Sequence, residues 1–250
     1  MAEQQVAVVS GGRYGLGAAL VGEFVAAGYR VIATSRRWTS AGVEGSETMV
    51  LDVADARSMA EFTTGLQRRV SRVDVLVNNA GVAGPTAPIG SISDTEWDEV
   101  FAVNVRGVFW MCRALLPLLR RSDSGARIIN IASMTGKRPL FQRAPYAASK
   151  MAIIGLTRSL ALELGPEGIT VNSVSPGNVE GDRISAVIAG QALAQGRPES
   201  EVRREFAASS PLGRFVSPEA VARTVLFLAS DAAREITGAD FGVTAGVWMD

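Results

Sequence analysis

The sequence predicts an α/β chain built as a doubly wound parallel sheet, three layers deep, with helices on both faces. Three observations carry this. Short, β-branched, nearly unbroken apolar runs recur along the chain, most are followed by a longer segment of helical pattern, and the first leads straight into a glycine-rich turn. Strands buried on both faces read as continuous apolar runs rather than as alternation. Repeated strand–helix–strand order makes neighbouring strands parallel and puts the crossover helices on the faces.

The elements follow in order. "VAVVS" (6–10) is the first strand; the residues before it lack the basic stretch and long apolar run of a signal peptide. A helix over 15–28 leads to "RVIATS" (30–35) and then "TMVLDV" (48–53). A helix over 55–70 precedes "VDVLVNNA" (73–80). The helix over 94–120 opens on Ser93 with Glu96 three residues on, the spacing of a capping box. "ARIINIAS" (126–133), a helix over 146–164 and "ITVNSVSP" (169–176) continue the rhythm. Ser217 and Pro218 suit the N-cap and first turn of a late helix, and a last strand includes "DFGVT". Residues 180–210 break the pattern: polar, rich in Ala, Gly, Arg and Glu, and longer than a usual connection. They read either as a lid over the substrate or as a simple helical insertion. With no linker, repeat or low-complexity tract, residues 1–250 read as one domain.

Composition narrows the function. Apolar residues make up 47% and charged residues 20%, and Lys+Arg and Asp+Glu are 25 each. Zero net charge gives no overall field for nucleic acid or an anionic membrane, so neither is expected as a partner. No uncharged apolar run reaches the ~18 residues of a membrane span. The lone Cys112 excludes an intrachain disulfide, suits a cytoplasmic setting and reads as a buried helical thiol. With no histidine in the chain, a zinc site is not expected.

Gly11, Gly15 and Gly17 lie between the first strand and the first helix. That placement suits a tight turn, close backbone approach to a diphosphate and a helix N-terminus facing it. The second strand ends in Ser35, Arg36 and Arg37, where a site for NAD usually carries an acid about 20 residues past the glycines. A guanidinium can grip a 2′-phosphate that an acid would repel, and Arg13 in the glycine turn adds a second cation. The expected cofactor is therefore NADP(H).

Ser133 ends the fifth long strand, Tyr146 opens the next helix and Lys150 follows one turn later, on the same face. A nearby cation lowers a phenol's pKa, and a tyrosine so tuned can exchange a proton with an alcohol or ketone. Ser133 can hydrogen-bond the same substrate oxygen as charge develops on it.

With these residues in place, the chain resembles the short-chain dehydrogenase/reductase family over essentially its whole length, in particular its NADP(H)-preferring 3-oxoacyl-reductase-like branch, a Rossmann fold. "SGGRYGLG" matches T-G-x-x-x-G-x-G with Ser10 in place of Thr, and "NNAG" (78–81) is unaltered. "FAVNVRG" supplies Asn104, completing an Asn-Ser-Tyr-Lys tetrad. The resemblance implies that Tyr146 is the general acid in reduction and the base in oxidation. Lys150 would lower its pKa and bond the nicotinamide ribose, Ser133 would place the carbonyl, and Asn104 would relay protons through water to Lys150. The cofactor would lie along Ser10, Gly11, Tyr14, Gly15, Leu16 and Gly17. Asp52 and Val53 would meet the adenine. Asn78, Ala80, Gly81, Pro176, Gly177 and Val179 would flank the rest, with Val179 near the carboxamide.

The chain departs from the family pattern in three places. Arg13 stands one residue before the usual basic position, which is Tyr14 here; Gly181 replaces a threonine that often bonds the carboxamide; and "VTAG" (243–246) leads into an apolar "VWMD" tail. The resemblance implies that Trp248 and Met249 of that tail stand at an interface of a homotetramer, or of a homodimer; covering a neighbouring pocket is the alternative. Between Ser133 and Tyr146 lie Lys137, Arg138 and Arg143. Arg143 is the residue expected nearest the substrate, where it would select a carboxylate or phosphate, and Lys137 would stand with it. Phe141 and Leu140 would instead line an apolar pocket, and a solvated basic loop or an intersubunit salt bridge is a further reading. The function expected is NADPH-dependent reduction of a ketone or aldehyde, or its reverse. NAD-dependent alcohol oxidation and a non-catalytic NADP-binding protein on the same fold are the alternatives.

Overall fold

A computed structural model describes residues 4–38 and 42–249. Seven parallel strands form one sheet: β1 (Val6–Ser10), β2 (Arg30–Ser35), β3 (Glu47–Val50), β4 (Val75–Asn78), β5 (Arg127–Ile131), β6 (Thr170–Pro176) and β7 (Asp240–Val243), in spatial order β3-β2-β1-β4-β5-β6-β7. The short strands β3 and β7 form the edges, and β1, β4, β5 and β6 are buried along their whole length. The doubly wound α/β class expected from the apolar runs is the one observed.

On one face α1 (Leu16–Ala26) packs beside α9 (Pro218–Ala229), burying Leu20, Phe24, Val221 and Val225 against Val9, Val77 and Ile129. The other face carries α2 (Ala56–Gln67), α4 (Gly107–Leu119) and α6 (Ala144–Leu164), the last preceded by the single turn α5 (Met134–Lys137), with Phe62, Leu115, Ile153 and Ile154 over Val8, Leu76 and Ile128. The Ser93 hydroxyl accepts from the Glu96 amide and the Glu96 carboxylate accepts from the Ser93 amide, so the capping box of α3 (Asp94–Phe101) is closed as expected. Ser217 caps α9 by accepting from the Ala220 amide at 3.2 Å.

Three expectations of extent are revised. The helix expected over 94–120 is α3 and α4 joined by a π-turn, Ala102–Arg106. Such widened turns recur at functional sites, and this one holds Asn104, whose side-chain amide bonds the Val82 main chain twice. Although Asp94–Leu119 is apolar and long enough to cross a membrane, half of its most apolar window is buried inside the protein. The run expected over 48–53 leaves the sheet after Val50, where Asp52 Oδ1 accepts from the Ala54 amide in a local turn. The run over 73–80 stops at Asn78, because the Ser10 hydroxyl captures the Asn79 and Ala80 amides, each at 3.0 Å.

Residues 180–210 form two helices, α7 (Asp182–Gln195) and α8 (Glu199–Ala208). They enclose a small core of Ile184, Ile188, Ala192 and Val202. A bridge between Val179 and Val216 closes the neck of this excursion. Its first turn stands at the ligand edge of the sheet.

Candidate active site

The strand order reverses between β1 and β4, and ligands of open α/β sheets bind outside the strands' C-terminal ends at such a switch point. A cleft of about 300 Å³ opens there, lined by the glycine turn, the ends of β2, β4, β5 and β6, and the start of α7. It is large enough for a small-molecule site.

The glycine turn is shaped for close approach. Gly15 has φ 56°, and a side chain there would meet nothing within 4 Å. A Cβ on Gly17 would stand 1.9 Å from the Gly11 carbonyl oxygen, so this contact between helix and turn admits glycine alone. Asn79 braces the turn, its amide donating to the Ser10 and Gly11 carbonyls at 3.0 and 3.1 Å. At the far end of this wall Arg13, Ser35 and Arg36 line the cleft. Arg13 donates to the Arg37 carbonyl at 3.1 Å and stacks on Tyr14. The glycine cradle and the cations at its end fit the phosphates of a nicotinamide dinucleotide.

The opposite end is buried. Tyr146 lies in the first turn of α6 just past Pro145, and its phenol faces the Ser133 hydroxyl, just beyond the end of β5. Lys150 is 3% exposed and donates to the Ile131 carbonyl at 2.7 Å. Asn130 donates to Thr157 at 2.9 Å, tying β5 to α6 and fixing the serine against the tyrosine. Burial by itself raises the Tyr146 pKa. The charges of Lys150 and Arg183, the hydrogen bond with Ser133 and the charge of Arg143 outweigh it, and the net shift is downward from 10.0. Lys150 is also held below its ordinary value, first by burial and further by Arg183, with the Tyr146 phenol opposing. Only two of the chain's 25 basic residues are lysines, Lys137 and Lys150. Lysine is the cation whose pKa burial can move; a guanidinium stays charged. A depressed phenol beside a buried ammonium and a hydroxyl can transfer a proton to or from an oxygen placed between Ser133 and Tyr146.

The comparisons with known proteins agree with this geometry. A family model described as "Enoyl-(Acyl carrier protein) reductase" matches residues 11–248. The chain belongs to the short-chain dehydrogenase/reductase family. Members of this family move a hydride between a nicotinamide cofactor and a CH–OH or C=O group. This short-chain dehydrogenase/reductase is 40% identical, over 97% of each chain, to a Streptomyces virginiae protein named "Monensin polyketide synthase putative ketoacyl reductase". It is 34% identical, over 98% of each chain, to galactitol 2-dehydrogenase of Agrobacterium fabrum. It superimposes on a solved structure of actinorhodin polyketide ketoreductase with NADPH at a TM-score of 0.90, with 32% identity over 99% of each chain.

Several residues expected at this dehydrogenase/reductase's site stand elsewhere. Ser10 is buried and its hydroxyl is taken by the Asn79 and Ala80 amides, so it shapes the cradle from beneath. Asn78 is turned into the sheet, donating to Asn130 at 2.8 Å and to the Cys112 sulfur at 3.5 Å. The Cys112 thiol is buried, as expected, and burial pushes its pKa up to about 12. Asn104 lies below the cleft floor: its amide donates to the Val82 carbonyl and to Ser149, both at 3.0 Å, and accepts from the Val82 amide at 2.8 Å. Arg37 is exposed beside the cleft, which it meets only through Arg13.

The substrate residues are revised most. Lys137 pairs with Asp240 at 2.6 Å and sits 4.0 Å over the Trp248 ring, away from the cleft. Phe141 is exposed on a separate groove beside Pro139 and Ile89, while Leu140 does reach the cleft. Arg143 reaches the cleft but its guanidinium is committed. It donates to the Ala83 carbonyl at 2.8 Å, the Gly84 carbonyl at 3.3 Å and Thr86 Oγ1 at 3.1 Å, and packs 5.1 Å from the Tyr146 ring. It acts as a brace between α6 and the loop after β4. The expectations had no place for Arg183. From the first turn of α7 it lines the cleft and donates to the Gly81 carbonyl at 2.7 Å.

Proposed function

We propose that the protein is an NADPH-dependent reductase of 3-oxoacyl groups, with Tyr146 as general acid. The observation that carries this reading is the Ser133–Tyr146–Lys150 constellation at one end of a cleft whose other end presents Arg13 and Arg36 with Ser35 in the acid's position. A bound nicotinamide supplies the hydride. Ser133 and Tyr146 hold the substrate's carbonyl oxygen by hydrogen bonds, and the phenol proton moves to that oxygen as charge gathers there. Lys150 stabilises the phenolate left behind. Asn104 acts as a positioning residue, holding Val82 and Ser149 beneath the lysine, and the proton lost by Tyr146 is restored through the Lys150 side. Leu140, Ile184 and Val187 give the cleft an apolar wall on the tyrosine side, which suits an acyl chain better than a polyol. The names of the Streptomyces virginiae protein and the actinorhodin ketoreductase point the same way.

The reading extends to α7 and α8 as a cover over the bound substrate. It also takes the chain as a cytoplasmic homotetramer, to which Met249, exposed in the tail, contributes; Trp248 is already packed under Lys137.

The test is loss of NADPH or NADH absorbance at 340 nm with acetoacetyl thioesters, sugar ketones and aldehydes. Preference for NADPH and a 3-oxoacyl thioester is the expected result. Equal use of NADH would remove the arginine argument, and turnover of galactitol with NAD in preference to ketones would favour the oxidative reading.

A further inference from the structure

Arg183 lines the cleft and is held there by a single hydrogen bond. Two other arginines of the α7–α8 excursion meet carboxylates: Arg203 pairs with Glu180, and Arg197 pairs with Glu201 and Glu205. Among the described residues no carboxylate pairs with Arg183. Its guanidinium crosses the cleft from α7 to a main-chain carbonyl, that of Gly81, at 2.7 Å. It also stands in the first turn of a 14-residue helix, where the helix dipole disfavours a cation and favours an anion.

The place where it docks is informative. A Cβ on Gly81 would lie 3.1 Å from Asn104 Oδ1 and 3.6 Å from Lys150 Nζ, so Gly81 covers the catalytic lysine. Its neighbour Ala80 abuts the glycine turn: a Cβ on Gly11 would meet the Ala80 Cα at 3.0 Å. The carbonyl that Arg183 holds therefore belongs to the stretch between the glycine turn and Lys150. Its charge is felt at Tyr146, Lys150 and Arg143 together. Arg143 is fixed by its carbonyl partners and Lys150 by Ile131. Glu180, beside Arg183 on the same wall, is matched by Arg203. Arg183, exposed and held by one hydrogen bond to a neutral acceptor, can exchange that acceptor for an anion arriving in the cleft.

We propose that Arg183 is a ligand for the diphosphate of the bound dinucleotide: its guanidinium leaves the Gly81 carbonyl for the phosphate oxygens and draws the first turn of α7 over the cofactor. The inference rests on the reading of this cleft as a dinucleotide site. A guanidinium–phosphate contact is charge-assisted and can be bidentate, and so exceeds the single bond to a carbonyl that it replaces. The same movement uncovers Gly81, where the strap would otherwise obstruct the cofactor's nicotinamide half.

The experiment is calorimetric titration of the wild-type chain and Arg183→Gln with three ligands: NADPH, 2′-phosphoadenosine 5′-diphosphoribose, which keeps the diphosphate and lacks nicotinamide, and adenosine 2′-monophosphate, which has no diphosphate. Each titration is repeated with the NAD-series counterparts. Arg183→Gln is expected to weaken both diphosphate ligands by the same factor, ~10-fold or more, as loss of a charge-assisted contact implies, and to leave adenosine 2′-monophosphate within twofold. Arg183→Lys is expected to recover part of the loss. Weakening of NADPH alone would place Arg183 at the nicotinamide instead and overturn the assignment. So would unchanged or tighter binding of the diphosphate ligands, which would make the strap an obstacle only. Those results differ from failure of the underlying reading, in which the wild-type chain itself binds no dinucleotide of either series and both claims fall.

Discussion

The two ends of the cleft are built on opposite principles. At the chemical end Lys150, Ser133 and Arg143 are each less than a tenth exposed, and every one has a fixed partner: the Ile131 carbonyl, the Thr135 amide, and the carbonyls of residues 83 and 84. At the adenosine end Arg36 and Tyr14 are exposed, and Arg13 is held from its neighbours Arg37 and Tyr14. Low local dielectric makes each charge strong at the first end; water and salt weaken each charge at the second. A single change should therefore disable the chemistry at one end but only tilt a preference at the other.

The largest effect is expected from Tyr146→Phe. Removing a general acid typically costs ~10²–10⁴ in rate, and kcat should fall within that range while the calorimetric affinity for NADPH stays within a few-fold. An equally large loss of NADPH affinity would mean the phenol serves binding, and the contrast between the ends would fail. The same residue sets the pH dependence. In reduction Tyr146 must be protonated, so kcat is full below the phenol's pKa and falls as pH rises through it. That pKa is lowered, so the fall should begin below the ordinary value of 10.0. Alcohol oxidation should rise over the same interval, and Lys150→Met should move both limbs upward in pH.

How far the sequence reveals each end follows from where the determinants lie. Ser133, Tyr146 and Lys150 sit at the end of a strand and on the first turns of a helix, so strand-end position and helical spacing place them without knowledge of distant contacts. The glycine turn is local in the same way. Lys137 is different: nearness in sequence to Tyr146 suggests a place at the pocket edge. Yet its charge is claimed by Asp240 and by Trp248, more than a hundred positions away, and nothing in the local pattern announces that pairing. Asn104 is readable as a family position, but the π-turn that seats it is set by the tie to Val82 across the loop after β4. Arg183 falls in a segment whose polar, alanine-rich composition shows no clear helical face, so its register on α7 and its approach to Gly81 emerge only in three dimensions.

A change at Arg143 tests whether it braces the fold or recognises an anionic substrate. Arg143→Met leaves the Ala83 and Gly84 carbonyls short of a donor beside the half-buried Tyr146 ring. An unsatisfied buried polar group costs about 1–3 kcal/mol, which for a chain of this size lowers Tm by roughly 4–8 °C at about 2 kcal/mol. Differential scanning calorimetry should show that fall. KM should change alike for acetoacetate and for its ethyl ester. A selective rise for the free acid, with Tm unchanged, would restore Arg143 as an anion-recognition residue.

The smallest effects are expected at the adenosine end, and there the quantity to follow is a ratio. Arg36→Ala should lower the ratio of kcat/KM for NADPH over NADH by about tenfold, the equivalent of about 1.4 kcal/mol. One exposed guanidinium on a 2′-phosphate supplies about that much in water. Arg13→Ala should change the ratio less, because part of that guanidinium's hydrogen bonding already goes to the Arg37 carbonyl and its face to Tyr14. Raising the ionic strength should shrink both effects, since the contacts are open to solvent, while the rate loss of Tyr146→Phe should hardly respond. If Arg36→Ala instead cut turnover with NADH as severely as with NADPH, the arginine would be shaping the fold of the β2 end rather than reading a phosphate. The adenosine end would then resemble the chemical end in being a fixed part of the framework.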